Sequence, residues 1–138
     1  MNSRVLIATV VGGIVLFAIG GLTMGVILAD FYAPFYAAFP TVMKTEPDIV
    51  PLALGNFGFA LLFALIFEKW ANIKTFGAGA IAGTWLNVIV GGSFDLTMYA
   101  TTHLMTTQVV LVDLIVYAVW GAIGGGVIGW LLGFKREK

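Results

Sequence analysis

Charged side chains are absent from three long stretches of the chain, residues 5–29, 75–94 and 114–134, and residues 49–67 make a fourth. About twenty apolar residues carry a helix across a bilayer. The pattern therefore predicts an all-α fold: one transmembrane domain over residues 1–138, a four-transmembrane-helix bundle. Its helices fall at about 5–29, 50–67, 75–100 and 108–133, with an outer loop over 30–49.

Within these stretches small and polar residues recur every four positions. The third helix carries Gly79, Gly83, Asn87, Gly91, Asp95, Tyr99 and His103 on this spacing, and the fourth carries Asp113, Tyr117, Gly121, Gly125, Gly129 and Gly133. The first offers Gly13, Phe17, Gly21, Gly25 and Ala29. In lipid no hydrophobic force draws helices together, so small residues that let backbones approach supply the contact. Such a row drifts about 40° per step around a helix of 3.6 residues per turn. Each row is accordingly expected to touch one neighbour for about three steps and then turn toward another. With the third and fourth helices antiparallel, Gly79 and Gly83 should meet Gly125 and Gly129, and Asp95 and Tyr99 should meet Asp113 and Tyr117.

The polar members give a candidate site. Asn56, Asp95 and Asp113 all fall roughly 6 to 9 Å below the outer ends of their helices at 1.5 Å per residue, and Asp30 tops the first helix just above them. An ionised Asp costs about 3 kcal/mol at the bilayer centre and less near its edge, and intramembrane carboxylates usually face a partner or a cavity. Two carboxyls sharing a site do not both ionise easily, so one is expected to hold a proton near neutral pH. Tyr99 and Tyr117 are placed to donate hydrogen bonds to the other. The expected ligand- or ion-binding set is thus Asp95, Asp113, Asn56, Asp30, Tyr99 and Tyr117. Against this stands the plainer reading that Asp30 caps a helix, that Asn87 serves helix contacts, and that His103 is an ordinary loop residue.

The outer loop opens with Phe31, Phe35 and Phe39 at intervals of four beside Tyr32 and Tyr36. Either a short helix lying in the headgroup region or an aromatic belt on an irregular loop accounts for this pattern. A faint echo at a separation of 65 residues pairs Arg4 with Lys69, Gly12 with Gly77, Asp30 with Asp95 and Asp48 with Asp113, as an ancient duplication would. Of the tryptophans, Trp70 and Trp130 suit interfacial or lipid contacts, and Trp85 and Trp120 suit packing.

Charge adds orientation. Arg4, Lys69, Lys74, Lys135, Arg136 and Lys138 fall on one side of the expected helices and Lys44 alone on the other. By the positive-inside rule both termini are expected in the cytoplasm, with residues 68–74 forming a tight cytoplasmic turn. The first segment runs longer than a signal-peptide core and is expected to be retained. Net charge is zero, so nothing points to nucleic acid. Without Cys there is no thiol nucleophile or Cys-based metal site. No GxSxG, HExxH or P-loop occurs, so the expectation is a non-enzyme with no cofactor and no metal.

The segment Leu54-Gly55-Asn56, the run Phe76-Gly77-Ala78-Gly79-Ala80 with Gly83, the segment Phe94-Asp95-Leu96-Thr97-Met98-Tyr99, and Val112-Asp113 leading to Gly124-Gly125-Gly126-Val127-Ile128-Gly129 resemble the small, uncharacterised four-helix integral membrane proteins of bacteria. That resemblance implies the fold and a multi-pass place in the bacterial inner (cytoplasmic) membrane, and brings no activity. The function expected is a channel- or carrier-like protein with an outward-facing polar pocket for a proton or small cation, homo-oligomeric or joined to partner membrane subunits. The alternatives are an accessory subunit of a larger membrane complex and a membrane-embedded sensor of a small apolar ligand.

Overall fold

A computed structural model of the protein describes residues 2–134. Among these, three of the helix starts carry a side-chain cap. The Asn2 side chain accepts from the Arg4 N–H ahead of α1 (Ser3–Leu22), Thr75 from Ala78 ahead of α4 (Phe76–Thr101), and Thr106 from Val109 ahead of α5 (Thr107–Gly133); each satisfies a donor that a helix start leaves free. Between them come α2 (Ala29–Ala37) and α3 (Ile49–Leu65). No strand occurs among the described residues. Lys135, Arg136 and Lys138, half of the basic cluster, lie outside them.

Two helices end in wider, π-type turns. After α1 the chain continues through Thr23–Ile27 in this form, and after α3 through Ile66–Ala71. At the first, the Thr23 hydroxyl donates back to the Ile19 carbonyl at 2.6 Å, a side-chain bond that competes with the helical ladder and bends it. At the second, the helix runs on through residues expected to form a turn and stops at Asn72, whose φ of 48° is left-handed, a common helix terminator. The connection is therefore only residues 72–75. Beside it Glu68 and Lys74 form a partly buried ion pair.

Three stretches, Ser3–Ile27, Ile49–Ala71 and Thr107–Gly133, are long and apolar enough to cross a membrane. Consistent with a lipid surround, they and α4 point large apolar side chains outward, among them Ile14, Leu54, Ile81, Trp85 and Ile115. Trp85 is one of these exposed groups, so its expected packing role is not observed.

The pairs α1–α3, α1–α5 and α4–α5 are antiparallel. Cβ atoms added at Gly12 and Gly124 would strike Ile128 and Leu16, and one at Gly13 would strike Phe57. The closely packed core sits where α1, α3 and α5 meet, around Val5, Ala8, Phe63, Phe67, Ile128 and Leu132. α4 lies mainly along α5, the most extensive helix pair in the protein.

That pair is built on glycine. A Cβ at Gly83 would overlap the Gly121 carbonyl oxygen and lie 2.9 Å from the Gly125 Cα; one at Gly79 would overlap the Gly125 carbonyl. Backbone meets backbone here, as the rows of four imply. Two expectations about the rows fail. The α4 row stays on α5 for five members, Gly79 to Asp95, because α5 carries a matching row and the two follow each other. On the first helix Gly21 and Gly25 have open space around them, because the chain has widened there and turned toward α2. The 65-residue echo also pairs unlike surroundings: Gly12 is tightly packed and Gly77 open, Asp30 exposed and Asp95 buried.

Candidate functional site

Following the α4–α5 seam from the glycines toward α2, the contacts change from backbone to polar. Thr84 donates to the Ala118 carbonyl at 3.3 Å, and the Asn87 amide to the Tyr117 carbonyl at 2.9 Å. Asn87 is thus an interhelical fastener. Gly91 comes next, where a Cβ would lie 2.6 Å from the Tyr117 ring. Its missing side chain lets that ring lie flat along α4 and reach the next residue of the row.

That residue is Asp95, only 3% exposed. The Tyr117 hydroxyl donates to its Oδ1 at 3.2 Å. Its Oδ2 is buried and has no hydrogen-bond partner. Asp113 on α5, 7% exposed, interacts directly with Asp95 through the side chain. Two carboxyl groups from two helices therefore share one buried compartment.

Its fourth member comes from α2. Tyr32, 4% exposed, donates its hydroxyl to Asp113 Oδ1, closing the compartment on that side. Tyr36, one turn on, stacks against it with ring centroids 5.9 Å apart. Burial first, and then the Asp113 carboxyl that it faces, push the Tyr32 phenol well above its ordinary range; burial does the same to Tyr36. Tyr32 accordingly stays protonated at any physiological pH and remains a donor.

The α2 segment reaches the site because of the π-type turn at Thr23–Ile27. Leu28 breaks the helix after it with ψ near 11°, and α2 begins at once. Trp120 of α5 anchors this corner, its indole N–H donating to Thr23 Oγ1 at 3.0 Å while its ring meets Tyr117 edge-on. One connected set thus runs Thr23–Trp120–Tyr117–Asp95–Asp113–Tyr32.

Of the residues expected from sequence, Asp95, Asp113 and Tyr117 come together and three do not. Asn56 turns back on α3 and donates to the Leu52 carbonyl at 2.8 Å, so its polarity is met within its own helix. Asp30 is exposed in the first turn of α2, and no side-chain bond caps that helix; the corner at Leu28 carries it away from the carboxyls. Tyr99 is 48% exposed, and its hydroxyl meets Thr107 Oγ1 at 3.2 Å at the very start of α5, more than a turn beyond Asp113 along that helix. His103 is exposed in the turn beyond α4. Tyr32 is the residue missed. Its sequence signal is the tyrosine pair at 32 and 36 on a short helix, which does not reveal where that helix lands.

An opening of about 620 Å³ elsewhere, lined by residues of the 40–48 connection, is polar and shallow and holds the exposed Lys44–Asp48 pair. It shares no residue with the buried compartment.

Fold and site together define an all-helical membrane protein with a buried carboxyl pair between two glycine-packed helices. No family model, curated protein or solved structure matches the chain.

Proposed function

We propose that the protein is a channel- or carrier-like membrane protein that takes up a proton or small cation at Asp95 and Asp113. The observation that carries this reading is the Asp95 carboxyl, buried, directly beside Asp113, with one oxygen left without a partner. A buried acceptor without a partner costs about 1 to 3 kcal/mol. Carboxyls inside membrane helices commonly mark ion and proton paths. A purely structural role would be better met by an amide or by apolar residues.

In this reading α4 also spans the membrane and brings the spans to four, its 26 residues being long enough and its glycines serving close packing on α5. Both termini lie in the cytoplasm of a bacterial inner membrane by the distribution of Lys and Arg, and α2 lies along the outer surface with Tyr32 pointing down into the site. Four helices enclose little space, so conduction would run along the α4–α5 seam or between copies in a homo-oligomer.

The test is flux through purified protein in liposomes. The expected result is proton- or cation-dependent flux that falls at least tenfold in Asp95→Asn and Asp113→Asn. The accessory-subunit reading has one observation of its own: Gly21 and Gly25, on α1 and the turn that extends it, and Gly55 and Gly58 on α3 have nothing within 4 Å, leaving room for a partner helix. Silent liposomes, with the protein purifying in fixed ratio with other membrane subunits, favour that reading instead.

A further inference from the structure

We infer that the compartment between α4, α5 and α2 is a one-proton site: Asp95 Oδ2 takes the proton, Asp113 shares it, and metal cations are refused. This deepens the proposed function and rests on its choice of Asp95 and Asp113 as the working pair.

Donors and acceptors in the compartment do not balance. Asp95 Oδ1 is engaged by Tyr117 and Asp113 Oδ1 by Tyr32, which leaves Asp95 Oδ2 as the buried oxygen without a partner. A proton there converts an orphaned acceptor into a donor, and the neighbouring Asp113 carboxylate is the acceptor beside it. One proton thus satisfies the group that the compartment leaves unsatisfied, and the pair then carries a single negative charge held by two phenols.

A metal ion finds much less. Calcium takes six to eight oxygens and magnesium six in near-octahedral order. Here only two carboxyl groups meet, and no third His, Cys, Asp or Glu joins them among the described residues. The two phenols direct their hydrogens, not their lone pairs, at the carboxyls.

The groups facing Asp95 are Asp113 and Tyr117 from α5; those facing Asp113 are Asp95 from α4, Tyr117 from α5, and Tyr32 and Tyr36 from α2. The π-type turn after α1 offers the neutral Thr23 and α5 the Trp120 indole, and α3 carries no titratable side chain. Among the described residues, no Lys, Arg or His faces Asp95 or Asp113. Loading is a simple transfer: an O–H bond of a hydronium ion at the α2 side breaks, its electron pair stays with the departing water, and an O–H bond forms on Asp95 Oδ2. Tyr32 stands between that side and the pair, so it is the positioning residue for entry.

Infrared difference spectroscopy of the lipid-reconstituted protein tests this without any flux. The expected result is a carboxylic-acid C=O band at neutral pH that shifts in D2O, is lost in both Asp95→Asn and Asp113→Asn, and is unmoved by saturating sodium, potassium or calcium. Tyr32→Phe should keep the band and speed its exchange with D2O severalfold. A band that a cation displaces, or no carboxylic-acid band in folded wild-type protein, overturns the one-proton site. A band that behaves as expected in a protein giving no flux leaves the site standing and removes only the channel or carrier reading.

Discussion

The two halves of the α4–α5 seam are made by the same helices on the same four-residue spacing, yet they do opposite things. Toward the 72–75 turn the row reads Gly79 and Gly83 against Gly121, Gly125 and Gly129, and the backbones touch. Toward α2 it reads Gly91 and Asp95 against Tyr117 and Asp113, and the helices are held apart by side chains that bond to each other. The close half fixes the distance and rotation of the helices; the polar half inherits that placement. A carboxyl pair is tolerable in a membrane only if its geometry is held by something else, and the glycines hold it.

Substitutions separate the halves, and the largest effect belongs to the close one. Gly83→Leu forces side-chain atoms into the Gly121 carbonyl, where neither backbone can yield. We expect a loss of at least about 3 kcal/mol, the upper part of the overpacking range, read as loss of folded protein in a detergent thermal melt. Gly77→Ala, at a glycine with nothing within 4 Å, should leave the melt unchanged or raise it slightly. Equal effects at 77 and 83 would break the distinction.

Next comes Tyr32→Phe. It removes a hydrogen bond to a buried carboxyl, worth about 1.5–3 kcal/mol when the acceptor is charged, and should lower the melt in the deprotonated protein more than in the protonated one. The sign follows from the donor: the phenol stays protonated throughout, so the bond weakens only when the carboxyl loses its charge at low pH.

Asn87→Ala loses one interhelical bond to the Tyr117 carbonyl. Bonds of this kind average about 0.6 kcal/mol in membrane proteins, so a small drop in the melt is expected, with flux lowered through the displaced Tyr117. Smallest of all is Tyr99→Phe, which breaks only an exposed contact to Thr107 and should change neither stability nor flux measurably.

The sequence carried these two halves unequally. The glycine rows named their own partners, because a backbone contact needs nothing but the absence of a side chain at matching depths. Asp95 and Asp113 followed from the same rows, since antiparallel packing of Gly83 against Gly125 carries the register to them. Asn56 reached the expected depth yet satisfied itself on Leu52, a choice between two acceptors that spacing does not decide. Tyr32 was hidden for a different reason. Its place depends on the widened turn at Thr23–Ile27 and the corner at Leu28, and a change in helix winding shifts everything after it without altering the hydrophobic pattern.

The central claim is that the buried pair handles protons while the glycine half only positions it. The most direct measurement is the initial rate at which an imposed pH gradient collapses across liposomes holding equal amounts of folded wild-type, Asp95→Asn, Asp113→Asn or Gly77→Ala protein. The expected result is a wild-type rate clearly above that of empty liposomes, the same rate for Gly77→Ala, and a fall of at least tenfold for each Asn variant. Rates indistinguishable among all four proteins would contradict it.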